Sequence, residues 1–494
     1  MQRRTFLISS ALAATPSFGA ESRLSFECSD RPLADGFLWA KRQALAFAFE
    51  GDPVGPWYEA ALPGREAFCM RDVAHQSTGG HALGLAAHNR NMLRRFAENI
   101  SDSKDWCSYW EIDRYNRPAP VDYKSDTEFW YNLPANFDIL DCCYRMYLWT
   151  GDLGYIHDPV FLNFYDRTVV DYVKRWDLDV DRVMRRKRFL NVHGALDGGK
   201  KFQFYRGDPS YSESRDEFVL GVDLLAAQSS AYLAYARIQE LRGNAEAAHA
   251  FLRKAREVRA LINKEWWDEK SQRFYSHLSR DYTLEGRAGS ELLYRDAADE
   301  GPKARGALQH LLEAIKQRPS GGVEGQSHHA EILYRYGVPD AAYEQLIDLT
   351  RENRDRREYP EVSYSVVGAI MTGVMGISVE PVAPSRAAED GNFVDRSIKT
   401  RPAHLNIESA AVRNLPVRAN EIDVRHEGGR RTLFTNERGP SLLWQAEFAG
   451  SFETLSVNGR SVRATRENAL LGRRVSWVRN VVAPGSTVRV EAQS

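Results

Sequence analysis

The feature that most constrains this chain is a helix–short loop–helix texture running from about residue 35 to 380. Ser229 to Arg242 (SSAYLAYARIQELR) repeats apolar residues at helical spacing and stops at Gly243-Asn244; Ala245 to Ile262 then resumes, which predicts an antiparallel helical hairpin. The same texture pairs Phe137–Trp149 with Phe161–Trp176 and Ala307–Ile315 with His328–Tyr336, and Ala341–Leu349 and Ser365–Met375 continue it. No strict sequence period accompanies it, which excludes a solenoid of identical repeats. The expectation is a mainly α fold, a ring of paired helices.

Near residue 380 the texture changes. Val382 to Pro402 is rich in Pro, Ala, Arg and Asp and reads as a linker or a segment wrapping the surface. Short strand patterns follow at Ile422–His426, Thr432–Thr435, Leu442–Phe448, Glu453–Val457, Val475–Val482 and Thr487–Ala492. Gly428-Gly429, Asn458-Gly459 and Pro484-Gly485 supply turns between them. This predicts a C-terminal antiparallel β-sandwich with a structural role, since no polar carboxylate cluster occurs in it. With 494 residues the chain is too long for one core. The expected division is a targeting segment over 1–20, a helical catalytic domain over 21–380, a linker over 381–402 and the β domain over 403–494.

Composition narrows the partners. Lys+Arg (66) and Asp+Glu (67) nearly cancel, so no long-range field draws in nucleic acid or an anionic membrane. The 11 Trp, 22 Tyr and 22 Phe suit a sugar-binding surface, although helix interfaces use most of them. Arg3-Arg4-Thr5-Phe6-Leu7, a short apolar run to Ala14 and small residues near Ala20 read as a twin-arginine-type export signal, which implies a periplasmic or secreted protein with no membrane contact after signal removal. The five cysteines (28, 69, 107, 142 and 143) are odd in number and show no metal-ligand spacing. Neither a metal nor another cofactor is expected, and composition does not address the oligomeric state.

In a ring of helices, catalytic groups gather at helix ends, so they are sought as scattered polar–aromatic patches. Five patches qualify. In Pro63 to Gln76 (PGREAFCMRDVAHQ), Arg71 and Asp72 beside His75 either clamp sugar hydroxyls or form an ion pair at a helix start. Between Trp106 and Asn136, the residues Trp110, Glu111, Arg114, Glu128, Trp130 and Asn132 alternate acids, bases and aromatics ahead of a Pro-started helix, a poor core pattern and a good pocket wall. Asn191 to Gly199 (NVHGALDGG) exposes Asp197 at a glycine turn, or is an ordinary Asp-Gly turn. Gly321 to His329 (GGVEGQSHH) places Glu324 in a glycine-rich helix approach, with Ser327 available as an N-cap. Its paired histidines lack the spacing of a metal site. Tyr359 to Gly368 sets Glu361 among tyrosines, including Tyr364, before a Gly-interrupted apolar helix. Two such acids suffice for glycosidic cleavage: one protonated carboxyl assists the leaving oxygen, and one carboxylate activates water or attacks the anomeric carbon.

In this order the patches resemble the six-hairpin, or (α/α)6-toroid, glycosidases: glucoamylase, trehalase, the processing α-glucosidase and α-L-rhamnosidase relatives. Arg71-Asp72 is similar to the Arg-Asp of the glucoamylase group that grips the sugar being cleaved. Asn132-Leu-Pro134 followed by Tyr147-Leu-Trp-Thr-Gly151-Asp152 is similar to a trehalase-like stretch, and Val222-Asp223-Leu224 to the Val-Asp-Leu-Asn segment of that group. The resemblance implies that Asp197 occupies the place of the general acid and that Glu361-Val-Ser-Tyr364 supplies the base. Glu324, Glu111 and Glu128 stand as rivals for the acid. The chain as a whole resembles exported bacterial six-hairpin proteins, some related to β-glucuronidases, and a uronate would need an arginine such as Arg71 or Arg114.

The expectation is therefore an exo-acting glycoside hydrolase of the inverting type, with Asp197 or Glu324 as acid and Glu361 as base. A uronate-specific lyase working through His75, Tyr or Arg, and a glycan-binding protein on an inactive scaffold, are the alternatives.

Overall fold

The computed structural model describes residues 22–187, 206–212, 218–317, 322–380, 397–404 and 406–492. The export signal and Asp197 lie outside the described residues.

Twelve helices build the ring. In chain order they are α1 (Arg31–Ala46), α2 (Met70–Ala82), α3 (Ala86–Glu98), α4 (Pro134–Thr150), α5 (Pro159–Arg167), α6 (Val222–Leu241), α7 (Ala245–Glu265), α8 (Ser290–Tyr294), α9 (Pro302–Gln317), α10 (His329–Arg335), α11 (Pro339–Thr350) and α12 (Pro360–Ala369). Even-numbered helices pack one against the next, and α12 closes the circle against α2. The odd-numbered helices surround them. The sequence explains the two layers. Inner α6 is buried over most of its surface, from Val222 to Gln239, whereas outer α7 buries one stripe through Ala248, Ala255, Val258 and Ile262. Three outer helices, α1, α5 and α7, also start on side-chain caps: Asp30 accepts from the Leu33 N–H, Asp158 from Val160 and Asn244 from Ala247. The inner helices start on residues that make no side-chain cap bond.

Two sheets form the sandwich. Its strands are β1 (Ser25–Cys28), β2 (Ser378–Glu380), β3 (Ser397–Thr400), β4 (Ser409–Val417), β5 (Asn420–Glu427), β6 (Arg431–Arg438), β7 (Leu442–Ala449), β8 (Thr454–Val457), β9 (Arg460–Arg463), β10 (Thr465–Ala469), β11 (Arg473–Val482) and β12 (Ser486–Glu491). One sheet runs β1-β4-β5-β6-β12-β8-β9 and the other β2-β3-β7-β11-β10. Pairing is antiparallel except between β3 and β7. Phe434 and Trp444 stack between the sheets with centroids 4.9 Å apart. Strand β1 comes from the chain's start, pairing Ser25–Cys28 with Arg413–Ala410. Spacing alone did not indicate β1, β2, β3, β4, β9 or β10, and β3 lies within the stretch read as a linker.

The sandwich docks on the C-terminal ends of the inner helices. The Arg418 N–H donates to the Trp149 carbonyl at 2.6 Å, and its side chain to the Leu148 carbonyl at 3.0 Å. Arg473 donates to the Arg335 carbonyl at 2.7 Å, and the His426 ring meets the Met375 carbonyl at 3.0 Å. Carbonyls left over at helix ends thus find partners in the second domain. A cavity of about 870 Å³ lies at this junction, lined by Trp149, Tyr334, Arg401, Glu447 and Arg473 among others, and none of the sequence-predicted site residues lines it. Among the described residues, no helix is long and apolar enough to cross a membrane.

Candidate active site

The opposite end of the ring gathers the charges. Four inner helices, and the short helix Val323–Gln326 ahead of α10, carry an acid in the first turn here: Asp72 in α2, Asp223 in α6, Glu291 in α8, Glu361 in α12, and Glu324 in the short helix. A carboxylate is favoured there by the helix dipole. Burial opposes that preference, and here burial wins. It pushes the Asp72 and Glu361 carboxyls above their ordinary range, Asp223 up to about 6 and Glu291 up to about 7. For Glu361 the neighbouring Asp72 charge adds to the same direction.

Arg71 ties the group together. Its Nε lies 3.6 Å from Asp72 Oδ1, and its guanidinium stands over the rings of Tyr211 at 5.6 Å and Trp110 at 6.0 Å. Its positive charge acts on Asp223, Glu291, Glu361, His75 and His328. One turn deeper, the rings of His75 and His328 meet at 4.0 Å between centroids, and each lies 5.4 Å from the Tyr294 ring. His328 Nε2 is 3.6 Å from Glu361 Oε1, and Ser327 Oγ donates to that oxygen at 3.3 Å. Burial lowers both histidines, His328 to about 3. Beneath them Arg295 is held by Asp138 and, at 3.2 Å, by Asp141.

A second carboxyl pair lies alongside. Glu111, on the short strand Glu111–Asp113, is 3.0 Å from Arg65 Nε, and Asp122 lies 3.5 Å from the same guanidinium. Burial, reinforced by a proton shared with Asp122, pushes Glu111 up to about 9.

The fold therefore brings together Arg71, Asp72, His75, Glu324 and Glu361, with Trp110 and Glu111 beside them. Trp130, 6% exposed, packs edge-on against Trp110 at 6.5 Å, and Asn132 is fully buried behind. Three sequence-predicted residues stand apart. Glu128 is half-exposed and pairs with Lys124 on the outside. Arg114 is bound by Asp52 and Glu66 at 2.7 Å each, lining a separate groove of about 340 Å³ with Tyr115 and Val121. Tyr364 is core: fully buried, its hydroxyl donates to the Ala44 carbonyl at 2.8 Å. Ser327 is not the N-cap of α10, a place taken by His328; its hydroxyl serves Glu361 instead. Glu291, Tyr294, Arg295, Tyr211 and Asp122 were not singled out from sequence. A turn residue followed by an acid in the first helical turn (Gly289-Ser-Glu291, Gly221-Val-Asp223, Gly322-Val-Glu324) is the signal that finds the acids.

No family profile matches the chain, and no curated protein sequence does. Solved structures do. The α-L-rhamnosidase of Dictyoglumus thermophilum superposes with a TM-score of 0.60 at 15% identity, over 95% of this chain and 50% of that one. A GH78-family rhamnosidase of Bacillus sp. GL1 gives 0.53 at 13% identity, over 84% and 41%. A sialidase gives 0.54 at 11%, over 92% and 41%. The chain thus spans half or less of the length of these structures. Its fold is that of the (α/α)6-toroid glycosidases with an attached β-sandwich.

Proposed function

We propose that the chain is an exo-acting glycoside hydrolase in which Glu361 is the base and Glu324 or Asp197 the proton donor. The observation that carries this reading is the convergence of four first-turn acids, Asp72, Asp223, Glu291 and Glu361, on Arg71 at the helix-start end of the ring, with Glu324, paired to Arg356 at 2.8 Å, beside Asp72 and Glu361. A saccharide is neutral, flat-faced and rich in hydroxyls. It suits an environment of aromatic rings and paired charges. Burial and neighbouring charge raise the proton affinity of Glu361, which strengthens it as a base toward water. Arg71 also gives a uronic acid sugar a partner for its carboxylate. The Arg3-Arg4 pattern and the apolar run after it fit action outside the cytoplasm.

A panel of aryl glycosides and uronate oligosaccharides tests the reading. Glu361→Gln is expected to reduce release of sugar by at least about 100-fold while the far-UV spectrum and melting behaviour stay those of the wild type. Wild-type turnover in that variant would remove the assignment, and glycan binding without turnover by the wild type would make this an inactive scaffold.

One observation favours a second reading. His75, His328 and Tyr294 form a ring cluster beside Arg71, and neutral imidazoles suit proton abstraction next to a uronate carboxylate. Such β-elimination leaves an unsaturated uronate whose ultraviolet absorbance hydrolysis does not produce.

A further inference from the structure

His75 presents an unusual cost. Both its ring nitrogens are shut off from solvent, and neither has a hydrogen-bond partner among the described residues. A neutral imidazole carries one donor and one acceptor, and leaving such groups buried and unsatisfied costs about 1–3 kcal/mol each. The surroundings supply what would satisfy it. One ligand-capable atom from each of His75, His328 and Glu361 lies within 4.8 Å of the other two.

We infer that His75, His328 and Glu361 form a three-ligand site for a divalent first-row transition ion, zinc above all. Two imidazoles and one carboxylate are a recognised zinc donor set that leaves a fourth position open for water. At metal–ligand distances near 2.0–2.1 Å, tetrahedral ligand atoms stand roughly 3.4 Å apart. The His328–Glu361 edge, at 3.6 Å, is already near that spacing. The two edges to His75, each within 4.8 Å, would close by rotation of its side chain. Nearby charge is mixed: Arg71, Arg145 and Arg295 oppose a cation, while Asp72 and Glu324 face Glu361, and Asp138 and Asp141 hold Arg295. Hard ions such as Mg2+, which prefer oxygen donors, are disfavoured by the two nitrogens. The ion and the proposed hydrolysis use the same carboxylate of Glu361, so an ion held there takes the lone pair that would accept a proton.

Binding is measured without turnover, so its outcome is separate from that of the hydrolase reading. The untagged full chain is stripped with EDTA and titrated calorimetrically with Zn2+, and in parallel with Mg2+. One Zn2+ per chain and no Mg2+ heat are expected. His75→Ala, His328→Ala and Glu361→Gln should each weaken Zn2+ by more than about tenfold. His329→Ala, whose ring faces Gln345 at 3.3 Å, should leave the affinity unchanged. Far-UV spectra establish that each variant is folded, and the conservative Glu361→Gln keeps the test open if a histidine variant unfolds. No Zn2+ uptake by the wild type, or uptake equal in all three ligand variants, overturns the site.

Discussion

At the scale of single residues, the same local text has two fates. Glu361 and Tyr364 lie three positions apart in α12 and share a polar–aromatic patch, yet one opens on the charge cluster and the other fills the core. Tyr364 packs its ring against Tyr58 at 4.5 Å and gives its hydroxyl to Ala44. Tyr364→Phe is therefore expected to lower stability by about 1 kcal/mol, the net worth of one buried hydrogen bond, and to leave KM for any glycoside unchanged. Urea unfolding and steady-state kinetics check the two halves; a changed KM with unchanged stability would return Tyr364 to the substrate pocket.

At the scale of elements, ring closure depends on how closely α12 approaches α2. A β-carbon on Gly79 would stand 2.0 Å from the Tyr364 carbonyl oxygen, so backbone meets backbone there. A β-carbon on Gly368 would meet nothing nearer than 3.4 Å, an ordinary contact. Gly79→Ala should then destabilise by more than about 2 kcal/mol, since neither helix can yield without moving its neighbours. Gly368→Ala should be neutral or stabilising by up to about 1 kcal/mol through helix propensity. Thermal melts of the pair decide this, and equal effects would mean that α2 and α12 do not touch at Gly79. The helical hairpins themselves were legible because periodicity and turn residues are local. Their starts were less so: α6 begins at Val222 and α12 at Pro360, several residues before the apolar repeats at Ser229 and Ser365. These first turns turn polar groups toward the site, so the apolar pattern is interrupted there.

At the scale of the molecule, the sandwich seals the carbonyl ends of the ring and the acids collect at the amide ends. That concentration of buried titratable groups gives stability a defined pH profile. Glu111, Glu291 and Asp223 bind protons more tightly folded than unfolded, where their values are near 4.5, 4.5 and 3.8. Their contribution is complete below those values and is lost as pH rises through about 6, 7 and 9. His328 behaves oppositely: its contribution is present above the unfolded value of 6.5 and is lost as pH falls toward about 3. From these four groups urea midpoints should be highest near about pH 4.5 and decline on the alkaline side, and Glu111→Gln should flatten that decline. A midpoint still rising from pH 6 to 9 would contradict the burial of these acids.

The sequence by itself determined the succession of helical hairpins, the change to a β domain and the places where an acid follows a turn. Those properties are written in neighbouring residues, through side-chain period and backbone preference. Only the tertiary structure decided which of these residues meet. It set His328 against His75 and Glu361, turned His329 aside to Gln345, and buried Tyr364. It drew Arg114 to Asp52 and Glu66 and carried Ser25–Cys28 into the distant sheet. Spacing along a chain fixes which face of a helix a side chain occupies, but not what the closing of the ring places opposite it.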